Sequence, residues 1–450
     1  MPNRAHQASA PSDSSDFEVT HKSVALIAVP MMFAYLSTPL VGLADTWAIG
    51  QLGDATLIGA VAVGSVLFDV LFSSMAFLRM GTTGLVAQAF GAKNNGEETA
   101  ILFRALIVGL AIGVAALILN QGILSVGLGF IGGSTQVQAA AADYFEIRVL
   151  SAPIVFANYV ILGYLLGRGQ AIAGLVLQTV LNLCNVALNF WFVLGLSWGV
   201  AGVAWASVAS ETVALLAGLS FLALQLVRFR LPSRAQVFQR RAFVKMFSVN
   251  RDILIRSLAL LFAYATFTRF SAQQGEVILA ANVILQKLFL VASYFLDGLA
   301  TAAEQLAGRA LGARRKPAFV RAVKLCTLWS FLLAGAITAL YVAFGAEYLT
   351  LMTQSEPVRM AGGTYLLLAC LTPLIAVGAV VLDGVFIGAT WSKDMRNMML
   401  LSLGAYLASA FTLTPLHGNT GLWISLLIFL GMRGITLSLV LPGRIRAGFG

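Results

Sequence analysis

Long apolar runs alternate with short polar links along nearly the whole chain. The runs lie at about 23–49, 56–89, 100–120, 139–166, 171–195, 200–227, 249–271, 277–309, 319–345, 360–388, 396–414 and 420–441. A membrane-spanning helix needs about 20 predominantly apolar residues. Twelve such runs predict an all-α integral membrane protein with twelve transmembrane helices. Several runs are longer than a bilayer requires, so tilt or extension beyond it is expected.

The links sort by charge. Those after even-numbered runs are basic: Lys93, Arg168, the stretch from Arg228 to Arg251, Arg314-Arg315-Lys316, then Lys393 and Arg396. Those after odd-numbered runs hold Asp54, Glu276, Glu347, Glu356 and His417, with Arg359 the exception. Basic links stay in the cytoplasm, so the alternation places both termini there. The polar start lacks the basic, apolar and small-residue succession of a signal peptide. Residues 1–22 are read as a disordered cytoplasmic tail, and 442–450 as a second cytoplasmic tail.

The longest polar link, 228–248, falls mid-chain and separates a lobe at 23–227 from another at 249–441. A shift of 221 residues aligns Ala60 with Ala281, Leu67 with Leu288 and Val70 with Val291. It also aligns Gly91-Ala92 with Gly312-Ala313, and Gly163 and Gly167 with Gly384 and Gly388. A shift of 219 brings Gly199 and Gly202 onto Gly418 and Gly421. Repeats six helices apart share one membrane orientation. Two pseudo-symmetric six-helix lobes follow, with substrate between them.

Composition agrees. The chain is 59% hydrophobic and 11% charged, against about 25% charged in a soluble domain. A net charge of +10 in a soluble chain would suggest nucleic acid; here the basic residues lie between membrane segments, and no nucleic-acid partner is expected. Cys184, Cys326 and Cys370 sit in apolar runs and His6, His21 and His417 outside them. No Walker loop, CxxC or HExxH occurs. Enzyme chemistry, ATP-driven transport, a metal and a cofactor are not indicated.

Charged and amide groups within the runs carry the candidate chemistry, because ionisable groups in a bilayer are costly. Asp45 lies near the outer end of the first run, after Pro39 and Gly42; it either reaches outward to water or serves a buried site. In the fifth run Gln178, Asn182, Asn185 and Asn189 recur at i, i+4, i+7 and i+11, one face of a helix. That stripe is a polar helix–helix seam or the wall of a wet cavity. At 1.5 Å per residue, Asp45, Asn189 and Ser207 reach roughly the same depth, suiting a proton or cation site. The second half carries Lys287, Asp297 and Glu304 in the eighth run and Asp383 in the tenth. Asp297 and Glu304 share a face and fit either a functional site or an ion-pair network with Lys287 or Arg309. Asp69, Arg79, Glu211, Arg256, Arg269 and Arg433 are further candidates.

Several motifs together resemble the multidrug and toxic compound extrusion (MATE) transporters. PLVGLADTWAIGQLG within 30–53 is similar to their first helix, FLRMGTTGLVAQAFGAKN at 77–94 to the end of the second, and GVAGVAWASVASE at 199–211 to the sixth. LDGLATAAEQLAGRALGARR at 296–315 and LDGVFIGATWSKDMRNMM at 382–399 resemble the DinF-like branch. The resemblance implies two six-helix lobes around a cavity, and antiport in which proton or sodium entry drives export of amphipathic, often cationic compounds. It maps an essential carboxylate onto Asp45, followed by Thr46. The family's Asn-x-x-x-Asp reads Asn185-x-x-x-Asn189 here, so its second carboxylate is missing; Ser207 stands at a family Thr or Ser. The expectation is proton rather than sodium coupling through Asp45, shaped by Asn185, Asn189 and Ser207. Thr46, Gln178 and Asn182 are cavity candidates, and Asp297, Glu304 and Asp383 second-lobe acidic candidates. A monomer in a bacterial inner membrane, surrounded by lipid and carrying small molecules, completes the expectation. Sodium antiport, a lipid-intermediate flippase, a membrane enzyme and a channel are the rivals.

Overall fold

Prolines, glycines and polar caps decide where the apolar runs become separate helices. The computed structural model describes residues 17–52, 54–131, 134–226 and 231–450. In chain order the helices are α1 (His21–Gly50), α2 (Ala55–Ser74), α3 (Phe77–Gly91), α4 (Asn95–Ile118), α5 (Asn120–Ile131), α6 (Thr135–Arg148), α7 (Ala152–Gly167) and α8 (Ala171–Asn189). They continue as α9 (Gly199–Leu226), α10 (Arg234–Val237), α11 (Arg240–Gln273), α12 (Glu276–Gly312), α13 (Lys316–Met352), α14 (Glu356–Cys370), α15 (Thr372–Gly388) and α16 (Ser392–Phe449). Asp54 caps α2 by accepting the Thr56 N–H at 2.8 Å, and Asn94 caps α4 from Glu97 at 3.0 Å. Such caps satisfy the unpaired donors of a helix start. Pro153 and Pro373 stand in the first turns of α7 and α15, where a missing N–H removes no helical bond.

Consecutive helices combine into spans: α2 with α3, α6 with α7, α14 with α15. Among the described residues eleven continuous spans are long and apolar enough to cross a membrane. The last, Ser392–Phe449, holds 58 residues and breaks at Gly418, whose backbone lies at φ 56° and ψ −137°. At 1.5 Å per residue one straight helix of that length would be far longer than a bilayer is thick. Split at Gly418 it supplies the eleventh and twelfth crossings. Next to the break, Asn282 and Asn419 exchange amide hydrogen bonds at 2.7 and 2.9 Å, and Trp423 Nε1 donates to Asn282 at 2.9 Å.

The repeat is visible as a pair of crossings between lobes. A Cβ on Gly91 would strike the Arg309 backbone, and one on Gly312 the Gln88 backbone. Gly91 and Gly312 are repeat mates, as are Gln88 and Arg309, so α3 and α12 meet as mirror roles of one contact. Within the lobes, Gly163 and Gly167 abut the carbonyls of Arg79 and Thr83, while Gly384 and Gly388 abut those of Ala300 and Glu304. Every partner is again displaced by 221. Glycine at these points lets backbones approach closely, as small residues do between membrane helices. The result seals the lobes together at the end that carries the basic links.

One expectation is corrected, and two other segments gain structure. Residues 17–22 are not part of a disordered tail: Val19 is buried, Thr20 caps α1 and Phe17 lies 4.0 Å below the Arg309 guanidinium. Residues 1–16 lie outside the described residues. The 228–248 link is partly helical, since it holds α10 and the start of α11. Arg104 anchors it by pairing with both Glu97 oxygens, at 2.8 and 3.0 Å, and donating to the carbonyls of Val237 and Gln236. The 442–450 tail continues α16 to Phe449, whose ring meets Phe319 at 5.4 Å.

Candidate functional site

The helical period of α8 turns its amides toward α1 and α9. Asn189 Nδ2 donates to Asp45 Oδ1 at 2.5 Å and to Asn185 Oδ1 at 2.9 Å, and Asn185 Nδ2 donates to Ser207 Oγ at 3.2 Å. Asp45 is 8% exposed, which rules out a carboxylate reaching freely to water. Asp45, Asn189, Asn185 and Ser207 therefore form one continuous buried relay across three helices. Directly after Asn189 the helix widens into a π turn, Phe190–Gly195, a departure often found beside functional groups.

The other amides extend the seam away from Asp45. Asn182 Nδ2 donates to Ser37 Oγ at 2.6 Å, and Gln178 approaches Asn182 at 3.5 Å. Of the two readings of the stripe, the structure displays a hydrogen-bonded seam between α8 and its neighbours. Thr46 lies outside this hydrogen-bonded relay. It is exposed and its hydroxyl donates to the Gly42 carbonyl at 2.8 Å within its own helix.

Sequence reasoning missed Arg148. Its guanidinium lies over the rings of Phe68 and Phe72 at 5.6 and 5.5 Å and donates to Ser151 at 2.9 Å. Its charge acts on Asp45, Asp69 and Glu211. Glu211 also accepts from Asn158 Nδ2 at 2.7 Å. The available signal was a single cation inside the fourth apolar run.

A second polar region lies between the lobes, in a cavity of about 540 Å³. Tyr35 and Arg79 reach it from the first lobe; Arg256, Lys287, Asp297, Glu304, Asp383 and Arg433 reach it from the second. Arg256 and Arg433 both donate to Asp383 Oδ2, the latter at 2.7 Å. Asp297 is exposed to the cavity. Glu304 is 3% exposed and lies 4.0 Å from Arg79 of the opposite lobe. The ion-pair network expected around Lys287 and Arg309 forms around different partners. Arg309 stacks on Phe17 and Phe90 at 4.0 and 4.9 Å, and Lys287 faces the cavity without an ion pair among the described residues.

The sequence profile of the MatE family matches twice, over residues 30–191 and 253–412. Each match falls in one lobe, and their starts differ by 253 − 30 = 223 residues, close to the internal repeat. The chain is 36% identical over 429 residues to DNA damage-inducible protein F of Escherichia coli (strain K12), covering 95% of this chain and 92% of that protein. It is 26% identical to the chloroplastic Protein DETOXIFICATION 44 of Arabidopsis thaliana, covering 90% of this chain and 79% of that one. In fold it superposes on the outward-facing conformation of a multidrug resistance MATE family transporter of the MOP superfamily. The TM-score is 0.85 at 20% identity, over 95% of this chain and 96% of the other.

Proposed function

The chain belongs to the MatE family and is a membrane transporter of small molecules rather than an enzyme, and from that premise we propose that it exports amphipathic compounds in exchange for protons, with Asp45 as the coupling carboxylate. The observation that carries this reading is the burial of Asp45 with the Asn189 amide on its oxygen. An ionised carboxylate inside a membrane needs a partner or a proton. The Asn189 amide supplies a hydrogen bond and Arg148 acts on the carboxylate only at a distance, with no ion pair to it among the described residues, so Asp45 can exchange a proton without breaking a direct charge pair. Asn189 accepts and donates hydrogen bonds but carries no proton of its own to release. The relay therefore holds one titrating carboxylate, which favours a proton over the two-carboxylate sodium arrangement.

Export of varied compounds is supported by the multidrug description of the structural neighbour and by the aromatic and aliphatic walls of the central cavity, where Phe289, Tyr264, Leu260 and Met80 lie beside Asp297. A cationic amphipath would place its charge at Asp297 and its apolar body on those walls. A flippase for a pyrophosphate lipid would need a strong cationic excess. Here Asp297, Glu304 and Asp383 offset three of the four cations Arg79, Arg256, Lys287 and Arg433. The alternation of basic links supports a topology with the sealed end and both termini on the cytoplasmic side of a bacterial inner membrane, and the proposed working unit is a monomer.

The test is pH-gradient-driven efflux from proteoliposomes, with Asp45→Asn beside the wild type and with sodium gradients as a parallel arm. Gradient-driven efflux should be lost in the variant while the protein remains monodisperse. Undiminished proton-coupled efflux by Asp45→Asn, or wild-type efflux driven by sodium alone, would sink the reading.

A further inference from the structure

Seven charged side chains line the central cavity, and five of them answer one another. Arg79 lies 4.0 Å from Glu304, while Arg256 and Arg433 share Asp383. The side chains of Asp297 and Lys287 make no ion pair or hydrogen bond among the described residues. Both stand on α12, ten residues apart, a rise of about 15 Å. They are not equivalent. Asp297 lies within electrostatic reach of Arg79, Arg256 and Arg433, so the surplus charge of the Asp383 triad partly answers it. Lys287 has no acid at ion-pair distance. Four cations against three acids leave one positive charge in the lining, and the pairing assigns that surplus to Lys287.

We propose that Lys287 is a carboxylate-recognition site, and that this transporter takes amphipathic zwitterions. The substrate's carboxylate sits at Lys287, its apolar body lies against Phe289 and Tyr264, and its basic group points toward Asp297. The inference deepens the export reading above and rests on it for the cavity as the place where substrate binds.

The argument turns on what happens to Lys287 when the cavity fills. Water hydrates an ammonium in an open cavity. An apolar body entering the cavity displaces that water, and a desolvated charge without a partner is costly. A purely cationic amphipath bears that cost at Lys287 and sets a like charge in the same space. A zwitterion brings the missing counter-ion, so a charge-assisted hydrogen bond replaces the lost hydration. One residue thereby accepts one class of compound and rejects another. The walls beside it suit an amphipath. Val283 and Leu290, one turn away on either side along α12, line the cavity with it, and Gln286 adds an amide next to the ammonium. Lysine also suits varied bodies, because its charge rides on a flexible four-carbon stem that follows carboxylates placed at different points. A volume of about 540 Å³ lies in the range of sites for drug-sized ligands.

Rhodamine B and its ethyl ester test the proposal. The two dyes share one cationic ring system, and the ester lacks only the free carboxylate. Binding of each to purified full-length protein in detergent is read by fluorescence anisotropy at about pH 7, where the carboxylate is ionised, with protein-free micelles as the blank. The wild type should bind rhodamine B roughly 10-fold or more tighter than the ester, as a hydrogen bond between charged groups allows. Lys287→Ala should weaken rhodamine B by that factor and leave the ester no weaker. Lys287→Arg should keep the preference, and Lys287→Glu should invert it, a result that a damaged fold does not produce. No binding of rhodamine B to the wild type, equal affinities for the two dyes, or equal losses of both in Lys287→Ala overturns the proposal. Efflux driven by a pH gradient in proteoliposomes is a separate arm. Its absence for both dyes would overturn the antiport reading, whereas the paired affinities decide Lys287 by themselves.

Discussion

Asn189 is held from both sides, by the carboxylate of Asp45 and the carbonyl of Asn185, through one amide nitrogen. A hydrogen bond to a charged group contributes about 1.5–3 kcal/mol. Asn189→Ala should therefore reduce pH-driven efflux by roughly 10- to 100-fold, with folding preserved in size-exclusion profiles. Efflux within twofold of wild type would show that the relay is dispensable. The same residue shows what was legible beforehand. Asp45, Asn185, Asn189 and Ser207 were readable because helical periodicity and depth are arithmetic on sequence position. Thr46 stands outside that relay because adjacency along a helix turns neighbouring side chains about 100° apart. Arg148 was invisible as a participant because the acids it acts on come from three separate helices. Its substitution by Gln would leave Asp45, Asp69 and Glu211 without the cation that acts on all three. Coupled efflux should fall although Asp45 is intact, and a normal pH-driven rate in Arg148→Gln would remove it from the mechanism.

Helix breaks and crossings carry the next level of information. Gly418 has a backbone conformation that a residue with a Cβ adopts only under strain, at about 1–3 kcal/mol. Gly418→Ala should lower the melting temperature in detergent, while Gly404→Ala, in open helical surroundings of the same helix, should leave it unchanged. The paired crossings make a sharper prediction. Gly91→Val and Gly312→Val each drive a side chain into the backbone of the opposite lobe, with an overpacking cost of about 1–3 kcal/mol. Because the two positions are repeat mates in one contact, both should separate labels at Asn95→Cys and Lys316→Cys in the same direction. Opposite shifts, or none, would contradict the symmetric seam. The repeat was readable from a constant glycine shift. That these glycines mark the lobe seam was not, since sequence alone does not say which backbone lies opposite.

The molecule as a whole is two lobes joined at one end around a charged cavity, and its orientation rests on where cations sit. Gln273→Cys, at the end of α11, and Lys316→Cys, at the start of α13, are exposed and lie at opposite ends of α12. In right-side-out vesicles an impermeant maleimide should label Gln273→Cys and spare Lys316→Cys; the reverse pattern would invert the topology. The span count, the alternation of basic links and the two-lobe repeat were determined by sequence alone. All three follow from the local cost of placing polar groups in hydrocarbon, which each segment meets independently of the others. Tertiary structure decided the rest. It put the Asn189 amide on Asp45, assigned Arg256 and Arg433 to Asp383, and set Arg79 across the seam from Glu304. Buried charges are neutralised by whichever partners folding brings near. That choice depends on how helices distant in sequence pack, so it becomes readable only once the lobes are assembled.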